Sequence, residues 1–132
     1  ERDPEFEIDQ LTSGILDFGA RQTIFTCGTQ MVAYQRVQIL GTTGRIEIEI
    51  PFNAPPDRAC RIFIDDGSDL FGQGCEPVTF PVVDQYTLQG DEFSRAIREG
   101  RPSRFPLEDA VNNMAVIDAL FRSAESNQWE AP

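Results

Sequence analysis

The chain has 132 residues, 40% of them hydrophobic and 25% charged, with a formal net charge of −11. This is the size of one ordinary domain with enough apolar content to bury a core, which excludes a disordered chain. A surface this acidic repels phosphate and anionic lipid, so nucleic acid and membrane are excluded as expected partners, and no apolar run is long enough to span a bilayer.

The chain opens on "ERDPEFEIDQ", which has no signal-peptide character and no initiator Met, so the start of the gene product is expected upstream. Leu11 to Phe18 and Arg21 to Thr29 are rich in Thr, Ile and Phe, and the short Gly19-Ala20 connection predicts an antiparallel hairpin. Tyr34 to Leu40 then leads through Gly-Thr-Thr-Gly into "RIEIEI", where Ile46, Ile48 and Ile50 alternate with Glu47 and Glu49. Such alternation marks a strand with one dry face and one wet face. A loop of Gly41 to Gly44 pairs Ile39 with Ile46 and Val37 with Ile48, which keeps all four on one face; a loop one residue shorter sets Ile39 against Glu47. A two-residue turn would need positive φ at Thr42 and Thr43, which β-branched residues resist, so the longer loop is expected, with Gly44 left-handed. Ala59 to Asp65 and Val78 to Val82 read as further strands, with Pro77 and Pro81 at strand ends or on an edge because proline cannot donate to a ladder.

The last third is helical. Asp84 is a candidate N-cap, Tyr86, Phe93 and Ile97 follow at helical spacing, and Gly100 then Pro102 form a stop. A second helix starts at Pro106, carries Glu108 and Asp109 in its first turn, and shows an apolar stripe of Ala110, Met114, Ile117, Phe121 and Ala124. Both stripes read as core. The expected class is α+β: an open, mainly antiparallel sheet with two C-terminal helices packed on one face, and residues 1–132 as a single domain.

The chemistry is defined largely by what is missing. The chain has no histidine, which removes Ser-His-Asp and Cys-His nucleophiles, His-ligated metals and the usual near-neutral proton shuttle. Cys27, Cys60 and Cys75 form no CxxC pair and read as reduced thiols of a cytoplasmic protein, buried as small hydrophobes. In "DDGSDLFGQGCE", Asp65, Asp69 and Glu76 take the first, fifth and twelfth places of a calcium loop, but Gly67 stands where a ligand is needed and Leu70 replaces the turn glycine. A solvated loop is expected there, and no metal. A hydrolase built on Asp65, Asp66 and Asp69 would need a carboxylate with a raised pKa in a cleft. "GQGCEP" is not a dinucleotide fingerprint, since Pro77 stands at the third glycine. The residues alone contain no catalytic constellation.

The order of motifs is more informative than any one of them. Tyr86, Phe93, Ala96, Ile97, Gly100, Pro102, Glu108, Asp109, Ala110, Asp118, Ala119, Arg122 and Ser123 follow the pattern of the closing helices of the glucose–fructose oxidoreductase / inositol dehydrogenase (Gfo/Idh/MocA) family. "ILGTTGRIEIEIPF" resembles that family's Gly-Thr-x-Gly hairpin, and "DQLTSGILDF" is similar to a strand entering the same sheet. The resemblance covers nearly the whole chain and implies the C-terminal domain of an NAD- or NADP-dependent oxidoreductase acting on a sugar, polyol or related hydroxyl compound.

It further implies that the Rossmann domain, the lysine-bearing Glu-Lys-Pro segment and the helix with the family's catalytic histidine lie upstream. On that reading this chain holds no catalytic residue, binds no cofactor by itself and is inactive alone. Tyr86, with Gln85 beside it, is the residue the resemblance places near nicotinamide and substrate. The expected partners are the missing N-terminal domain, a small-molecule substrate, and a second copy meeting the wet sheet face in a homo-oligomer. The alternative reading is a freestanding, non-catalytic α+β binding or scaffold module.

Overall fold

The computed structural model describes residues 1–132, with strands β1 (Leu11–Asp17), β2 (Gln22–Gly28), β3 (Val37–Leu40), β4 (Arg45–Ile48), β5 (Cys60–Asp65) and β6 (Cys75–Phe80), and helices α1 (Gln85–Glu99) and α2 (Leu107–Ser126). Every strand pairing is antiparallel, in a two-stranded sheet β1-β2 and a four-stranded sheet β3-β4-β5-β6. The α+β class is therefore as expected. The chain divides into two compact units, Glu1–Ala33 with Phe105–Pro132, and Tyr34–Arg104.

In the first unit, β1 and β2 form the expected hairpin. Asp17 pairs with Gln22, Phe18 N–H donates to Arg21 O at 2.9 Å, and Gly19 takes φ +78° in the turn. Gly14 lies opposite Phe25, and a Cβ there would stand 2.7 Å from the Phe25 ring and 3.1 Å from Leu120 of α2. The missing side chain is thus what admits the aromatic ring between strand and helix. Ala119 is the buried residue of α2, and Asn127 ends the helix in the left-handed conformation with its N–H on Ser123 O. Glu108 and Asp109 sit in the first turn, where the helix dipole favours negative charge.

In the second unit the register matches the sequence argument: Ile39 pairs with Ile46 and Val37 with Ile48, and Gly41 N–H donates to Gly44 O at 2.9 Å. Gly44, however, is not among the glycines with positive φ. Its reason is close approach: a Cβ would collide with the main-chain oxygen of Asp65 on the neighbouring strand. β6 starts three residues earlier than expected, at Cys75, and carries Pro77 inside it; this is tolerated because β6 is an edge strand.

Alternation and register place Val37, Ile39, Ile46, Ile48, Ile62, Ile64, Val78 and Phe80 on one face of the four-stranded sheet. The opposite face carries Arg45, Glu47, Glu49, Arg61 and Asp65. It is not simply wet. Arg61 grips Glu49 with Nε at 3.0 Å and a terminal nitrogen at 2.7 Å, while Arg36 reaches Glu47 at 3.2 Å and Glu49 at 3.7 Å. Gln38 donates to Glu47 at 3.0 Å, and Arg45 pairs with Asp65 at 2.8 Å. Each glutamate of "RIEIEI" is therefore compensated by arginines held beside it.

Helix α1 begins and ends as its sequence predicts. Asp84 caps its start, and Gly100 closes it in the left-handed conformation, with Gly100 N–H on Ile97 O at 3.2 Å and Arg101 N–H on Ala96 O at 3.1 Å. Its apolar stripe departs from the expectation of core. Tyr86, Phe93 and Ile97 are 68%, 60% and 66% exposed, whereas Ala96 is buried at 4%. A helical period reveals which residues share a face, but not whether the chain supplies a surface to cover it.

Candidate functional site

The site residues implied by the family resemblance, Gln85 and Tyr86, open α1. Asp84 fixes them: Oδ1 accepts from Tyr86 N–H at 3.0 Å and Oδ2 from the Thr87 hydroxyl at 2.8 Å. The Thr87 hydroxyl first, and the Tyr86 amide second, hold the Asp84 carboxyl below its usual range, so it stays ionised and capping. The Tyr86 backbone is thereby locked while its ring projects outward.

Gln85 turns the other way. Its Nε2 donates to the main-chain oxygen of Phe52 at 3.4 Å. The same loop is held from its other side by Gln35, whose Oε1 accepts from Phe52 N–H at 3.3 Å and from Asn53 N–H at 3.2 Å. A glutamine ahead of β3 and one in α1 thus bond one short segment between β4 and β5. No local sequence pattern singles out Gln35 or Phe52. The nearest signal is "PFNAPP", where Pro51, Pro55 and Pro56 stiffen a loop that presents a phenylalanine.

The other candidates resolve into structure. Asp65 is drawn into the sheet and buried at 5%, which corrects the expectation of a wholly solvated loop; Arg45 and the Gly67 amide satisfy its two oxygens. Asp66 accepts from Ser68 N–H at 2.9 Å, and that bond, with the Ser68 hydroxyl, lowers its pKa. A lowered carboxyl is the wrong direction for a general acid. Asp69 accepts from the Phe71 and Gln73 amides. Cys60 and Cys75 pair with Phe80 and Asp65, at opposite ends of the β5–β6 ladder. A cleft of about 640 Å³ in the first unit has an apolar seam of Leu11, Phe25, Ile117, Leu120 and Phe121, with Glu1, Arg2, Asp9 and Glu125 also in its lining.

Residues 10–131 match the family described as the oxidoreductase family, C-terminal alpha/beta domain. The chain belongs to the Gfo/Idh/MocA family of oxidoreductases. It is 43% identical over 129 residues to an uncharacterized oxidoreductase of Rhizobium meliloti, covering 97% of this chain and 39% of that protein. It is 31% identical over 123 residues to a D-xylose 1-dehydrogenase (NADP(+)) of Haloferax volcanii, covering 90% of this chain and 35% of that one. The chain thus spans little more than a third of the length of these curated relatives.

Membership in Gfo/Idh/MocA raises the question of whether this chain could itself hold a nicotinamide dinucleotide. Its residues do not fit the pyrophosphate. That group needs a glycine-rich turn and free amides at a helix start. Here the Asp84 carboxylate already occupies the amide end of α1, and Glu108 and Asp109 occupy the first turn of α2. Both helix starts present negative charge to an anion. This Gfo/Idh/MocA domain has no helix N-terminus prepared for a dinucleotide.

Proposed function

We propose that residues 1–132 act as the substrate-side and assembly domain of an NAD- or NADP-dependent oxidoreductase of a sugar, polyol or related hydroxyl compound. The cofactor is held by a part of the protein outside this chain, and substrate meets the start of α1. The observation that carries this reading is Tyr86: a phenol 68% exposed, with its backbone fixed by Asp84, on a domain of an oxidoreductase family. A fixed phenol can present its ring to a ligand while its hydroxyl donates to or accepts from an oxygen. Beside it, Gln85 is committed to the Phe52 loop and supports the site rather than the reaction.

The assembly role is supported by the outer face of the four-stranded sheet. Arg36, Arg45 and Arg61 balance Glu47, Glu49 and Asp65 there, although the whole chain carries −11. A charge-balanced face can meet its own copy across a two-fold axis without the repulsion the rest of the surface would impose. The test of the catalytic reading is Tyr86→Phe in the full-length protein. Loss of about ten-fold or more in kcat/KM, the equivalent of one hydrogen bond, is the expected result. Unchanged kinetics would remove Tyr86 from the site.

A further inference from the structure

We infer that the stretch preceding Glu1 in the full-length protein forms a third strand on the free edge of β1. It runs antiparallel to β1, with the residue immediately before Glu1 opposite Thr12, the third before it opposite Gly14 and the fifth opposite Leu16. The backbone at residues 1–11 sets this path. Arg2 forms an antiparallel bridge with Asp9, and Asp3 N–H donates to Ile8 O at 2.7 Å. Asp3 also fixes the turn between them, its Oδ1 accepting from the Glu5 and Phe6 amides at 2.8 and 2.9 Å. Glu1 O then accepts from two successive amides, Gln10 at 3.0 Å and Leu11 at 3.4 Å, while the Glu1 nitrogen donates to Leu11 O at 2.7 Å. Two residues facing one make a β-bulge, and beyond it Glu1 and Leu11 are a hydrogen-bonded antiparallel pair. Residues before Glu1 are thereby aimed along β1, the first of them opposite Thr12.

The edge is open to receive that strand. β2 is the one neighbour of β1 in its sheet. Gln10 O accepts from Thr29 N–H on the β2 side, whereas Leu11 bonds to Glu1 on the other. By the same alternation Ser13, Ile15 and Asp17 turn their N–H and C=O groups away from β2. Seven residues of edge with no proline among them are a template for another strand. The register also selects side chains. Gly14 and its partner Phe25 face Leu120 of α2, so the first, third and fifth residues before Glu1 face α2 as well. There they meet the cleft of about 640 Å³ whose lining includes Glu1, Leu11, Phe25, Ile117 and Leu120, which assigns apolar side chains to these three positions. Ala119 is the one buried hydrophobic residue of this unit, so its helix and hairpin lack cover of their own. The matched stretch covers 39% and 35% of the two relatives, and both therefore have chain beyond it.

The experiment uses the full-length protein and reads no activity, so its outcome is independent of Tyr86. Hydrogen exchange of the native protein is expected to show the Ser13 and Ile15 amides at least about 100-fold slower than in an unstructured chain. Exchange at the unstructured rate overturns the inference. The register is read by disulfide formation, with the native cysteines replaced by serine. Leu16→Cys is paired with a cysteine at the fourth, fifth or sixth residue before Glu1. The fifth is expected to close an intramolecular disulfide under mild oxidation, because directly opposed residues of a non-hydrogen-bonded pair stand within disulfide reach. The fourth and sixth project from the other face and are expected to stay reduced. Closure at the fourth or sixth in place of the fifth overturns the register. Protected amides with disulfides formed only between two molecules show a second copy on this edge, and that too overturns the inference.

Discussion

Arg45 and Asp65 stand directly opposite each other on β4 and β5, and both Nε and a terminal nitrogen of the guanidinium reach the same carboxylate oxygen, at 3.0 and 2.8 Å. The other oxygen accepts the Gly67 amide at 2.8 Å, so the strand pair and the following turn share one anchor. The two partners are unequal: the Asp65 side chain is 6% exposed and that of Arg45 49%. Removing the exposed partner strands a buried charge, whereas neutralising the buried one lets the arginine rehydrate. Arg45→Ala is therefore expected to destabilise by about 3 kcal/mol, and Asp65→Asn by less, about 1–2 kcal/mol. Urea unfolding of the two variants checks this, and the reverse order would contradict it.

Two glycines give opposite predictions. Gly44 faces the Asp65 main-chain oxygen, which cannot move without disturbing β5, so Gly44→Ala is expected to cost about 1–3 kcal/mol. Gly90 lies inside α1 with nothing within 4 Å of a built Cβ, and Gly90→Ala should stabilise by about 0.5–1 kcal/mol. Thermal unfolding should move the two midpoints in opposite directions.

These cases show which parts of the fold the sequence specifies. The β3–β4 register was legible because loop length and the parity of four aliphatic residues admit one solution. Both ends of α1 were legible because Asp84 and Gly100 act on their immediate neighbours. The role of Gly44 was not, since the atom it must avoid lies on a different strand. Nor was the exposure of Tyr86, Phe93 and Ile97, because a helical period is blind to what packs against it. The hydrogen bonds on Phe52 join residues 35, 52 and 85, which no local pattern links.

Glu49 makes stability depend on pH in a definite direction. The hydrogen bond from Arg61 is the largest influence and lowers its pKa from the ordinary 4.5; burial opposes this, and the charges of Arg61 and Arg36 add to it. A carboxyl with a depressed folded pKa contributes its full stabilisation above the unfolded value and loses it as pH falls through the folded one. The stability gap between the native chain and Glu49→Gln should thus be constant above about pH 4.5 and shrink below it. Urea midpoints measured from pH 7 down to about pH 3 would reveal this, and a gap that widened on acidification would contradict it.

The last prediction concerns self-association through the charge-balanced face. Thr79 lies on the edge strand β6 opposite Arg61, exposed, and takes part in none of the ion pairs of that face. Thr79→Glu adds one negative charge to a surface whose other charges are matched. If two copies meet there across a two-fold axis, each association brings two such charges into a desolvated interface. Like charges in that setting cost several kcal/mol, so the dimer should weaken by at least about ten-fold. The monomer should be unaffected, because an exposed substitution away from core and caps changes stability by about 0.5 kcal/mol or less. Sedimentation of the full-length protein at micromolar concentration is therefore expected to give a dimer or larger assembly for the native sequence and a shift toward monomer for Thr79→Glu, with identical circular dichroism. A native protein that is monomeric, or a variant that assembles as tightly as the native form, would show that this face is not where copies meet.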